Sequence, residues 1–217
     1  MRVIQTERDA VALMRSAKLA LRYGSSAALP LPSIYSTAID KRRAIELTNA
    51  LLARADIVET NVIASRLVLV WRELVPALYA LRVRFRGRLS ADATRALELI
   101  RNGKGVKVGE VRRLLGVTGT RRPDRADDAL AELMRDMLVD RGPSSVPERG
   151  IPYLSREGFP YRCFEEAHPE LVRRARSMSI ARAVADVVEP LRQVAPRRLA
   201  TILKLCATKD EIESAQK

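Results

Sequence analysis

Histidine, cysteine and aromatic residues are scarce in this sequence, and no long apolar run occurs. With one histidine, His168, and two cysteines, Cys163 and Cys206, the chain cannot build a disulfide scaffold or a four-thiolate zinc site. Cys163 and His168 are too few ligands for a metal ion, and a thiol nucleophile needs an oriented base. No metal and no cofactor is expected, and His168 reads as the residue that leads into a helix at Pro169. Aromatics make up 4% of the chain, so the core should be Leu, Val, Ile and Ala, as in packed helices. Nothing approaches the roughly 18 uninterrupted apolar residues of a spanning helix; the stretch from Val62 to Trp71 is short and broken by Arg66. Met1 to Glu7 turns polar at once, unlike a signal peptide. A cytoplasmic protein with no membrane partner is expected. Neither glycine-rich nucleotide fingerprint is present.

What is abundant is positive charge. The 217 residues carry 39 Lys and Arg against 26 Asp and Glu, a formal net charge of +13. Between Arg82 and Arg122, twelve cations face only Asp92, Glu98 and Glu110. Such a surplus favours a polyanionic partner, and arginine suits the fork geometry of phosphates and base edges. The alternation Arg82, Arg84, Arg86, Arg88 has two readings. An extended segment would line all four along one side as a ladder for phosphates; with Val83 and Phe85 interleaved, it is equally a half-buried linker strand.

Apolar residues are 47% of the chain, enough for one large domain or two small ones. Residues 1–88 read as helical. Thr6 and Asp9 resemble a capping box, opening a helix that Tyr23 to Ser26 ends. Pro30 and Pro32 enforce an extended connection. A second helix is expected from Asp40 to Ala55, and a third from Val62 to Arg82, bent or restarted near Pro76, with Trp71 and Tyr79 on one face toward the core.

Residues 89–155 carry the most information. Ser90 can cap a helix to Arg101. Val106 to Val108 alternates like a very short strand. A short helix from Gly109 to Leu115 is closed by Gly116, and Pro123 suits the start of a longer helix to Met137. Met137 to Asp140 can leave as a strand, Arg141 to Gly150 reads as a loop, and Ile151 to Leu154 could pair back. That order is the order of a winged helix-turn-helix. The fold class expected is mainly α (α+β), with a helical region over 156–217 whose last helices, capped at Ser179, opened by Pro196 and capped at Thr208, look like an incomplete second helix-turn-helix.

In such a unit Arg121, Arg122 and Arg125 stand where a recognition helix meets base edges in the major groove. Lys104, Lys107, Arg112 and Arg113 would contact phosphates, and Arg141 and Arg149 bracket a loop able to reach a neighbouring groove. Asp124, Asp127 and Asp128 argue the other way, since three carboxylates beside a reading surface repel phosphate; Asp124 can serve as a helix cap.

The runs Leu31 to Tyr35 and Glu73 to Leu81, the helix-turn-helix from Gly109 to Met137, and Ala195 to Ala200 resemble uncharacterised winged-helix proteins. Those are related to the bacterial glycosylases that unhook DNA interstrand crosslinks. The resemblance implies a tandem winged-helix architecture that cradles DNA. It does not carry catalysis across: those glycosylases use a Gln-x-Gln motif, and Gln5, Gln193 and Gln216 form no such pair. The function expected is non-catalytic binding of double-stranded DNA, as a regulator or repair accessory. The alternatives are a degenerate glycosylase-like enzyme, or a protein-interaction module whose C-terminal helices present an apolar face to another copy in a homo-oligomer.

Overall fold

The computed structural model describes residues 3–142 and 159–217. The chain is mixed α+β, and its first third departs from the expected run of helices. Helix α1 (Glu7–Ala17) is closed at its start by the Thr6–Asp9 capping box. It stops at Lys18, whose φ of 63° turns the chain left-handed and into strand β1 (Leu19–Leu21). Helices α2 (Ile34–Thr37) and α3 (Lys41–Leu52) follow, capped by Ser33 and Asp40. Then come strands β2 (Ile57–Thr60) and β3 (Val68–Trp71). The three strands form an antiparallel sheet in the order β1-β3-β2.

This sheet replaces the helix expected from Val62. Both of its faces are covered: Leu19, Leu21, Val58, Val68 and Val70 enter one core, while Ala20, Ile57, Leu69 and Trp71 enter another with α1 and α3. A strand buried on both faces shows no alternation in its sequence, so its apolar run is indistinguishable from a buried helix by periodicity. Trp71 is therefore a strand residue. Of the expected range, Arg72–Leu74 forms a 3-10 turn that leads into helix α4 (Val75–Val83), with Pro76 in its first turn where no hydrogen-bonded N–H is required.

Helix α5 (Ala91–Asn102) is capped by Ser90 as expected. Val106 makes a single antiparallel bridge to Tyr161. Helix α6 (Val108–Leu114) ends at Gly116, whose φ of 67° suits glycine and lets Val117 N–H return to the Arg112 carbonyl. Helix α7 (Arg125–Arg135) begins two residues later than Pro123, because Asp124 caps it by accepting from Ala126 and Asp127. Strand β4 (Val139–Arg141) pairs antiparallel with β5 (Tyr161–Cys163). The return strand expected at Ile151 to Leu154 lies outside the described residues, as does Arg149.

The C-terminal helices are α8 (Phe164–Ala167), α9 (Pro169–Arg176), α10 (Ile180–Val194), α11 (Leu199–Leu203) and α12 (Lys209–Ser214). His168 sits at the junction of α8 and α9. Helices α9 and α10 pack on α4. The apolar face expected to be left open is closed: Leu199, Ile202, Leu203 and Ile212 are buried with Val187 and Leu191. Among the described residues, no helix is long and apolar enough to cross a membrane.

The α5–α7 unit is fastened to the rest of the chain by buried ion pairs. Glu59 on β2 takes Arg22 at 3.0 Å and also pairs with Arg141 at the end of β4. Burial pushes the Glu59 carboxyl up, and Arg141 and Arg22 more than offset it, so it titrates below the usual range. Arg82 on α4 holds Asp136 and donates to the Leu205 carbonyl at 2.6 Å. Arg86 donates to the carbonyls of Asp136 and Met137 at 2.7 and 3.1 Å. Asp140 accepts from Arg162 at 2.7 Å and lies 2.7 Å from His168 Nε2.

Candidate nucleic-acid interface

The twelve cations of the basic run divide into two sets. Arg82 and Arg86 are consumed at the α4–α7 seam, and Arg84 pairs with Glu211 at 2.7 Å. The ladder reading of Arg82 to Arg88 is thereby overturned: the segment continues α4 into a turn, and three of its four arginines hold protein groups. Arg95 donates to the Leu114 carbonyl at 2.9 Å. Arg112 and Arg122 are held by carboxylates of α7. The other six, Arg88, Arg101, Lys104, Lys107, Arg113 and Arg121, are exposed, and among the described residues their side chains make no ion pair.

Of the nine residues proposed for DNA contact, Lys104, Lys107, Arg113 and Arg121 thus remain available. Arg112 acts within the fold: it bonds Asp124, the cap of α7, and the Gly119 carbonyl in the preceding turn, so it ties α6 to the start of α7. Arg122 donates to Asp127 at 2.8 Å. Arg125 grips Asp92 of α5 with two bonds of 2.8 and 2.7 Å. Arg141, expected to reach a second groove, is buried on Glu59 with a side chain only 5% exposed. Its guanidinium is enclosed between Glu59 and the Phe159 ring, away from solvent, so Arg141 is a structural residue.

These pairs also settle the three carboxylates near the start of α7. Asp124 and Asp127 form its capping box, and Arg112 and Arg122 neutralise them. Asp128 alone stays exposed, on the outer face with Arg125 and Ala131. That face is not cationic. The open positive charge lies instead around α6. From Arg101 to Arg121 the sequence has six cations and one carboxylate, Glu110. Glu110 accepts from the Lys107 N–H at 2.8 Å and begins the helix. Helix α6 is about 10 Å long at the usual rise, and a duplex presents several phosphates per strand over that length. Arg101, also free, was not among the expected contacts. Its signal in the sequence was its place at the end of α5, just before Lys104.

Replacing Arg112 by alanine is expected to lower stability by about 1–3 kcal/mol, because Asp124 and the Gly119 carbonyl lose a charged donor in a half-buried site. Urea denaturation reads the change; an unaltered midpoint would show that the turn stands without it.

The buried carboxylates offer no competing chemistry. The side chains of Glu59 and Asp140 are 0% and 2% exposed and saturated by cations, so no substrate reaches them. Burial pushes the Cys206 thiol up to about 12, far from thiolate reactivity. No group of three metal-ligating side chains occurs among the described residues. No protein-family model, curated protein or solved structure matches the chain.

Proposed function

We propose that residues 90–163 form a winged helix-turn-helix that binds duplex DNA through its phosphates, without catalysis. The order α5, Val106, α6, α7, β4, β5 supports that topology. So does the bridge from Val106 to Tyr161, which sets a third strand position against β5. The observation that carries the reading is the set of unpaired, exposed cations Arg101, Lys104, Lys107, Arg113 and Arg121 around α6. Phosphate contacts position a protein and carry no sequence information. With Arg122 and Arg125 held by Asp127 and Asp92, and Asp128 open on α7, base readout has few donors here. Binding is therefore sequence-tolerant.

Five contacts give a slope of log K against log salt of about −4 to −5. Anisotropy titrations of unrelated duplexes at several salt concentrations should return that slope with similar affinities. A slope shallower than about −1 would remove phosphate gripping as the mode of binding.

A further inference from the structure

We infer that Tyr23 and Tyr35 form a stacking corner for an unpaired nucleobase, so that the preferred DNA is a duplex carrying a single-stranded segment. The inference rests on the DNA-binding reading above and names the form of DNA.

Most aromatic side chains among the described residues are core material. Trp71, Tyr79, Phe159, Tyr161 and Phe164 are buried and Phe85 is half-buried beneath the Arg84 guanidinium, whereas Tyr23 is 51% exposed and lies beside the half-buried Tyr35. Their ring centroids lie 6.5 Å apart at a tilt of 60°, an edge-to-face arrangement that leaves ring surface open. Exposing a tyrosine has no benefit for folding, yet this corner is held firmly. Ser33 is buried, and its hydroxyl donates to the Tyr23 carbonyl at 2.7 Å while accepting from the Ser36 N–H at 3.0 Å. One serine thus fixes the backbone of Tyr23 and the first turn of the helix that carries Tyr35. Leu21 N–H bonds the Pro32 carbonyl at 2.7 Å and closes the loop between them.

The electrostatic setting favours an anionic ligand. The Arg22 guanidinium lies 5.5 Å from the Tyr23 ring centroid and 5.3 Å from that of Phe159. Arg22 and Arg141 share the single carboxylate of Glu59, so one positive charge in the cluster beneath the corner has no counter-ion from Glu59. An open aromatic face beside a cationic cluster is the combination with which single strands are held: bases stack, and the charge attracts the backbone. Arg141 ends β4, so the corner lies where the winged unit meets the sheet.

The test compares a blunt duplex with the same duplex bearing a short single-stranded tail that contains a fluorescent adenine analogue. The full chain is titrated with each. The tailed DNA is expected to bind about tenfold more tightly, with quenching of the analogue. That advantage should vanish in Tyr23→Ala and persist in Tyr23→Phe, which keeps the ring. Equal affinities for both DNAs, with the blunt duplex still bound, overturn this inference alone. A tail advantage retained in Tyr23→Ala overturns it too, by placing the contact elsewhere. Failure of the chain to bind either DNA removes both readings together.

Discussion

Glu59→Ala is expected to destabilise the protein by about 3–5 kcal/mol, because it strands two buried cations at once. Glu59 has no exposed side-chain surface, Arg22 is 9% exposed and Arg141 5%. The pair of guanidiniums also flanks Phe159, each about 5 Å from its ring. Removing the carboxylate leaves two like charges facing each other in a medium that solvates neither. The damage is not confined to one element. Glu59 belongs to β2 of the three-stranded sheet and Arg141 to β4, so the strand that begins the proposed wing loses its anchor. Replacing all three by apolar residues, as in Arg22→Met, Glu59→Leu and Arg141→Met together, should recover most of the loss, since desolvation is then no longer opposed. Urea denaturation of the single and triple variants decides the matter; a single-variant loss below about 1 kcal/mol would mean that water enters the cluster.

The same carboxylate shapes the response to acid. Glu59 and Asp140 both titrate below their ordinary ranges: burial opposes the charge on each, and it is outweighed by Arg141 and Arg22 at Glu59 and by the bonds from His168 and Arg162 at Asp140. A carboxylate with a lowered folded value contributes stability above its unfolded value, about 4.3 for Glu and 3.9 for Asp, and loses it as pH falls through the folded value. Unfolding below about pH 4 should therefore be steep, and Glu59→Ala should flatten it.

Much of the local structure could be read from the residues. Thr6, Ser90, Ser179 and Thr208 cap helices where their side chains suggested, because an N-cap signal is local and needs no tertiary partner. Gly116 closes α6 for the same reason. The sheet was not legible. Leu19 to Leu21 and Val68 to Trp71 are covered on both faces, and such strands carry no period-two pattern to find. The candidate site was legible by composition and illegible by position. Charge counting located the basic run, but it could not tell Lys107 and Arg113 from Arg112 and Arg122. That division depends on which carboxylates folding brings near: Asp124 reaches Arg112 across the turn, and Asp92 reaches Arg125 from another helix. Arg82 and Asp136, 54 residues apart, make the same point for the core.

The division of the cations also determines which substitutions are informative. Reversing Arg122 breaks its bond to Asp127 and disturbs the start of α7, so lost binding there would be ambiguous. Lys107, Arg113 and Arg121 have exposed side chains without ion-pair partners, and changing them should leave stability within about 0.5 kcal/mol.

The most direct measurement is the duplex affinity of the triple reversal Lys107→Glu, Arg113→Glu and Arg121→Glu, taken as a function of salt beside the unaltered chain. An affinity loss of about a hundredfold or more at low salt is expected, with a salt slope shallower by about three and an unchanged urea midpoint. A triple variant that stays folded and binds duplex with the original affinity and slope would contradict the assignment of the open cations around α6 to DNA phosphates.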